Sequence, residues 1–186
     1  MGNREDLLDA ATRCLESKGY VRTSARDVAT AANVSLAAIG YHYGSKDALL
    51  QAALRQALER WGDELARSLA ATPLDDDPVA RFTALWDAIV ASFAANPSLW
   101  RVQFEVLAQP DLPDELRGLF RDAHRQARLG LVELFGGAPD GEAPRVGAVY
   151  QALLGGLAAI WLADPAGPPS GDDLLAAIRA VASTLH

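Results

Sequence analysis

The chain has 186 residues, half of them apolar, a formal net charge of -7 and one cysteine, Cys14. That length buries a sizeable core without disulfides, which excludes a stapled secreted scaffold, and the N-terminus MGNREDLLDA lacks the apolar stretch of a secretion signal. No apolar run reads as long enough for a membrane span, so the expectation is a soluble globular chain of one large or two small domains in a reducing cytoplasm.

An acidic total is unfavourable for a nucleic-acid partner, because phosphate contacts want a basic surface. Its distribution matters more. Residues 1–50 balance Arg4, Arg13, Lys18, Arg22, Arg26 and Lys46 against Glu5, Asp6, Asp9, Glu16, Asp27 and Asp47, so the excess negative charge lies in the remainder. A neutral head on an acidic body turns the head towards DNA, with only modest nonspecific affinity.

In chain order, Leu7, Leu8, Ala11 and Leu15 predict a first helix from about Arg4 to Lys18. Gly19 ends it with an unstrained left-handed residue, and Tyr20 packs beneath the turn. Cys14 beside this stripe reads as a small buried apolar residue. Residues Thr23 to Lys46, TSARDVATAANVSLAAIGYHYGSK, then hold two short helices and the start of a third. Ser24 and Asp27 form a capping box, Val28, Ala29 and Ala32 share an inner face, and Asn33 supplies the left-handed exit. Val34 plugs the corner. Ser35 is the expected N-cap of a helix from Leu36 to about Tyr43, with Ile39 and Tyr43 inward; Gly44 closes it and Ser45 caps the next.

Helix, tight turn, cap and second short helix is the arrangement that lays a recognition helix in a major groove, although plain bundles use it too. The residue types narrow the choice. Gly19-Tyr20, Thr23-Ser24, Arg26 to Ala29, Ala32 to Ser35, Tyr41 to Tyr43 and Ser45 to Leu49 follow, in order, the pattern of the TetR family of transcriptional regulators. The first quarter of the chain resembles that family.

The resemblance implies that the third helix enters the major groove, with Ser35, Leu36 and Ala37 at base edges and Tyr41, His42 and Lys46 on backbone phosphates. Thr23 and Arg26 are further phosphate candidates. Leu36 and Ala37 offer methyl groups suited to thymine methyls. Gly40 departs from the family's frequent aromatic and Ala37 from its frequent glycine, which leaves the operator sequence open. Plainer readings stand beside these: Ser35 as a cap only, Tyr41 as a half-buried packing residue, His42 bonding a backbone carbonyl.

Beyond the head, a long helix from Lys46 to about Ala71 keeps Leu50, Leu54, Leu58, Trp61, Leu65 and Leu69 on one face and suits a stiff lever. The segment 72–78 is an acidic loop, with Asp77 as cap and Pro78 opening the next helix. Five further helices are predicted: Val79 to Ala95, Ser98 to Ala108, Asp114 to Phe135, Arg145 to Ala163 and Asp172 to Leu185, with a glycine and proline loop over 136–144. The fold class is therefore all-α with about nine helices. Residues 1–48 would form a three-helix helix-turn-helix DNA-binding domain, and 49–186 a helical ligand-binding and dimerisation domain.

The last two helices are apolar on more than one side, so they are either buried within one chain or covered by a second copy; the resemblance implies a homodimer through a four-helix bundle. Phe82, Trp86, Phe93, Trp100, Phe104, Phe120 and Tyr150 are either core or the walls of an apolar cavity, to which Gln103, His124, Gln126 and Gln151 bring polar groups. The resemblance implies a small-molecule effector between these helices, shifting the lever helix and releasing a palindromic operator. No metal or cofactor is expected. An enzyme is the competing class, weakly supported: His42, His124 and His186 are scattered, and neither a nucleophile elbow nor a phosphate-cradling glycine loop occurs. A further rival is a DNA-binding dimer without a small effector.

Overall fold

The structure, a computed structural model, describes residues 3–70 and 77–185. Most of the predicted acidic loop and the terminal His186 lie outside the described residues. The rest is helical: α1 (Asn3–Lys18), α2 (Ala25–Ala31), α3 (Ala37–Tyr43), α4 (Lys46–Ala70), α5 (Pro78–Ala95), α6 (Pro97–Leu107), α7 (Asp114–Leu134), α8 (Ala143–Ala163) and α9 (Gly171–Ser183). The predicted boundaries fall within two residues of these, since cap and breaker residues set them. The loop after α7 is shorter than read. It ends at Glu142, because Pro144 fits the first turn of α8, where a missing N–H costs nothing.

The chain sorts into two compact units, Met1–Gly62 with Asn96–Arg121, and Asp63–Ala95 with Asp122–His186. In the first, α1 packs on α2, α3 and α6. Leu7, Ala10, Ala11 and Leu15 meet Val28, Ala29 and Ile39, and Leu49, Leu50 and Leu54 join from α4. Two short helices cannot close a core of their own, and here Leu99, Val102 and Val106 of α6 complete it, with Leu116, Leu119 and Phe120 of α7.

In the second unit α5 lies against α8 and α9. Leu85, Trp86, Ile89 and Phe93 of α5 are buried, as are Leu154, Leu157 and Ala158 of α8 and Leu174 of α9. Glycines permit two close approaches. A Cβ on Gly147 would stand 3.0 Å from the Arg128 carbonyl, and one on Gly171 would run into the backbone of Thr83. Gly171 also donates its N–H to Asp87 Oδ1 at 2.7 Å, tying the start of α9 to α5.

One expectation needs correction. By length and composition alone, α8 is long and apolar enough to cross a membrane, contrary to the reading that no run reaches that size. Its apolar side chains divide between buried Leu154 and Leu157 and exposed Val149 and Ile160, so only part of them serves the chain's own core.

Candidate nucleic-acid interface

The geometry of α2 and α3 follows from local hydrogen bonds. Ser24 accepts the Asp27 N–H at 3.1 Å, and Asp27 accepts the Ser24 N–H at 2.9 Å, completing the predicted capping box. Lys18 lies 2.5 Å from the same carboxylate, and with the Ser24 bonds it holds Asp27 well below the usual carboxylate range. At the other end, Asn33 takes φ 54. Its N–H bonds the Thr30 carbonyl and the Val34 N–H the Ala29 carbonyl, at 3.1 and 3.0 Å. That pair is a Schellman motif built on asparagine instead of glycine, and it sets the corner between the helices.

α3 opens differently from the expectation. It begins at Ala37, one residue late, after a tight turn in which the Ser35 carbonyl accepts the Ala38 N–H at 3.0 Å. Leu36 holds the cap position in a helical conformation, and no side chain caps the helix; Ser35 contributes its carbonyl there, which leaves its exposed hydroxyl outside the cap. Inward, Ile39 is buried. The Tyr43 hydroxyl donates to the Arg4 carbonyl at 2.8 Å while the Arg4 guanidinium sits 5.2 Å over the Tyr43 ring, pinning the end of α3 to the start of α1.

Outward, Ser35, Leu36, Ala37, Gly40 and Tyr41 form one exposed face. Tyr41 is 86% exposed, which rules out the packing reading within this chain. Half-buried His42 meets the Tyr41 ring edge-on at 4.8 Å. Space around Gly40 is open, so the family's frequent aromatic is absent without a collapse of its surroundings. Lys46 pairs with Asp47 at 3.2 Å beside the Ser45 cap of α4, and Arg26 is exposed.

Thr23 is a correction. It is 1% exposed, and its hydroxyl donates to the Gly19 and Cys14 carbonyls at 2.6 and 3.2 Å. The Gly19 carbonyl lies just past the end of α1, and satisfying it takes the group expected on a phosphate. Cys14 is buried as read, and burial pushes its thiol up.

The aromatic positions expected to line one site divide between the two units. Phe82, Trp86 and Tyr150 gather in the second around Phe135, which lies 5.3 Å from Trp86 and 4.5 Å from Tyr150 between ring centres. Phe93 meets Trp161 there at 6.2 Å. His124 is half-buried, its pKa lowered first by burial and then by the Arg128 charge. In the first unit Trp100 meets Trp61 edge-on at 5.0 Å, Phe120 joins the core, Phe104 is half-buried, and the Gln103 amide nitrogen is buried with no hydrogen-bond partner among the described residues. Gln126 is exposed, and Gln151 accepts a hydrogen bond from Arg128. Phe135, Trp161 and Trp61 are central neighbours that spacing did not single out as lining, because ring contacts between distant helices leave no periodic trace.

Comparison with known proteins settles the family. The model of bacterial regulatory proteins of the tetR family matches residues 7–53, and that of the BetI-type transcriptional repressor C-terminal region matches residues 78–186. The chain belongs to the TetR family of transcriptional regulators. It is 35% identical over 83 residues to the HTH-type transcriptional regulator BetI of Burkholderia mallei (strain NCTC 10229), and that match spans 44% of this chain and 41% of the relative. Among solved structures, a transcriptional regulator from Rhodococcus sp. Rha1 aligns over 88% of this chain and 85% of its own at 26% identity and TM-score 0.65. The multidrug binding protein EbrR complexed with proflavin aligns over 89% and 92% at 26% identity and TM-score 0.66. A regulator from Streptomyces coelicolor A3(2), at 22% identity and TM-score 0.73 over 96% and 97%, shares the fold. Family and fold are those of DNA-binding transcriptional regulators, not enzymes.

Proposed function

We propose that this TetR-family chain is a cytoplasmic repressor that binds a palindromic operator as a homodimer and releases it when a small apolar or amphipathic molecule binds. The observation that carries the DNA part is the exposed face of α3, where Leu36 and Tyr41 stand 53% and 86% exposed on a helix whose other side is anchored by Ile39 and Tyr43. Apolar and aromatic groups so displayed suit thymine methyls and the duplex backbone. Ser35, Leu36 and Ala37 read bases; Tyr41, His42, Arg26 and Lys46 hold phosphates. Residues 1–48 serve as the reading head, and 49–186 carry effector binding and dimerisation.

Dimerisation is supported by apolar residues that the single chain leaves uncovered on its last two helices and just past α9: Val149, Ile160, Val181 and Leu185 are 58%, 44%, 62% and 79% exposed. The effector is supported by the aromatic group around Trp86 in the second unit and by the proflavin complex of EbrR. Of the expected contacts, Phe82, Phe93, His124 and Tyr150, all in the second unit, remain its candidates. Such a molecule lowers operator affinity by the difference between its affinities for the two states of the dimer.

The deciding experiment is selection of duplex fragments from the source genome by the purified chain. Recovery of a shared palindrome with half-sites about one helical turn apart, or a multiple of it, is expected; fragments without a common motif overturn the reading. Thermal-shift screening with apolar and amphipathic compounds follows. At least one that stabilises the chain should also release the selected duplex. A screen in which none does favours an operator-binding dimer without a small effector.

A further inference from the structure

Glu105 belongs to α6, yet its carboxylate closes the turn that follows α1. One oxygen accepts the Tyr20 N–H at 3.0 Å and the other the Val21 N–H at 2.9 Å. Gly19 makes the approach possible. It holds φ +82, and a Cβ there would run into the Glu105 carboxylate. Two backbone donors just past the end of α1 thus find a charged acceptor 84 and 85 residues further along the chain. On either side of Glu105, Val102 and Val106 are buried in the same core as the α1 stripe, so α6 holds the head by packing and by this clasp together.

The turn has little slack. Two residues beyond Val21, Thr23 spends its hydroxyl on the Gly19 and Cys14 carbonyls, and Ser24 already caps α2. The direction of α2, and of α3 packed on it, follows the position of residues 19–21. We propose that Glu105 is a positioning residue for DNA recognition, its carboxylate clasping the Tyr20 and Val21 amides so that the turn leading into α2 is held in the place the reading head needs. This rests on the DNA-binding reading above and adds a residue, far along the chain, that orients the head without touching DNA.

The test uses the full chain with Glu105→Ala, Glu105→Gln and, as a packing control, Val106→Ala. Electrostatics alone gives one sign: removing an acidic charge strengthens attraction to DNA. The clasp gives the other. Glu105→Ala should weaken binding to the selected duplex about tenfold, the loss expected for charge-assisted hydrogen bonds. Glu105→Gln should lose less, since one carbonyl oxygen retains one of the two amides. The salt slope should stay at the wild-type value, because no phosphate contact is removed. In hydrogen exchange the Tyr20 and Val21 amides should open at least about tenfold faster in Glu105→Ala, while Gly19, bonded to the Leu15 carbonyl at 2.9 Å, keeps its rate. Val106→Ala should lower the thermal midpoint and cost the folded chain less duplex affinity than Glu105→Ala does. Glu105→Ala binding as tightly as wild type or tighter, or unchanged exchange at Tyr20 and Val21, overturns the inference. So does an equal affinity loss in Val106→Ala. A wild-type chain that selects no DNA instead takes down the functional reading on which the inference rests.

Discussion

Burial pushes the Tyr20 hydroxyl up to about 12 from its ordinary 10.0, with the Asp47 carboxylate adding to the effect. A raised folded-state value means that the neutral phenol favours the fold. Its contribution is whole below the unfolded value and is lost as pH climbs from about 10 to about 12. Stability followed by circular dichroism should decline across that window, and Tyr20→Phe should flatten the decline; parallel curves would refute the assignment. Lys46 makes a separate prediction. Its partner Asp47 is 3.2 Å away and exposed, so a phosphate can take its place. Lys46→Ala should weaken binding to all sequences alike and reduce the salt slope by about 0.9, and a gel-shift series over salt with an unaltered slope would contradict it. At this scale the sequence is legible where a residue obeys a local rule: Gly19, Ser24, Asp27 and Asn33 take the conformations their types demand. Thr23 is not, because whether its hydroxyl meets water or the carbonyls near the end of α1 depends on how the turn folds back.

Between elements, glycines separate tolerance from necessity. Gly171 opens α9 against the backbone of Thr83 in α5, and a backbone cannot step aside as a flexible side chain does. Gly171→Ala should cost about 3 kcal/mol in urea unfolding. Gly62 lies within α4 with open space around it, so Gly62→Ala should instead gain about 0.5–1 kcal/mol. Equal and small effects of the two changes would show that the approach of α9 to α5 is looser than drawn. Helix limits are legible from caps and breakers, including Asn96-Pro97 and the Asn33 corner. The start of α3 is not, because Ser35 is a good cap by type while the tight Ser35 to Ala38 turn takes its place. Nor is the Glu105 clasp, since nothing in one helix's periodicity tells which distant turn its carboxylate will meet.

Over the whole chain, the all-helical architecture and the family are legible from a motif in the first quarter. How helices distribute between compact units is not. The cluster of Phe82, Trp86, Phe135 and Tyr150 draws on three separate stretches, and α6 completes the core of the head although it follows α5 in sequence. Assembly is testable at this scale. Val181 is 62% exposed on α9, and a carboxylate there harms nothing within one chain. Val181→Glu should therefore weaken self-association in sedimentation by about tenfold or more while leaving helical content intact. Association unaffected by the change would move the contact surface elsewhere.

The pair Gly155 and Gly156 gives this surface a ruler. A Cβ at either meets nothing within 4 Å among the described residues, so their packing requires neither glycine. Graded bulk at 156, from alanine through valine to leucine, should act as a wedge whose thickness is chosen by the experimenter. If the two copies touch there, each step will prise the reading heads to a new separation, and the preferred spacing of operator half-sites will drift with side-chain size while each half-site sequence stays the same.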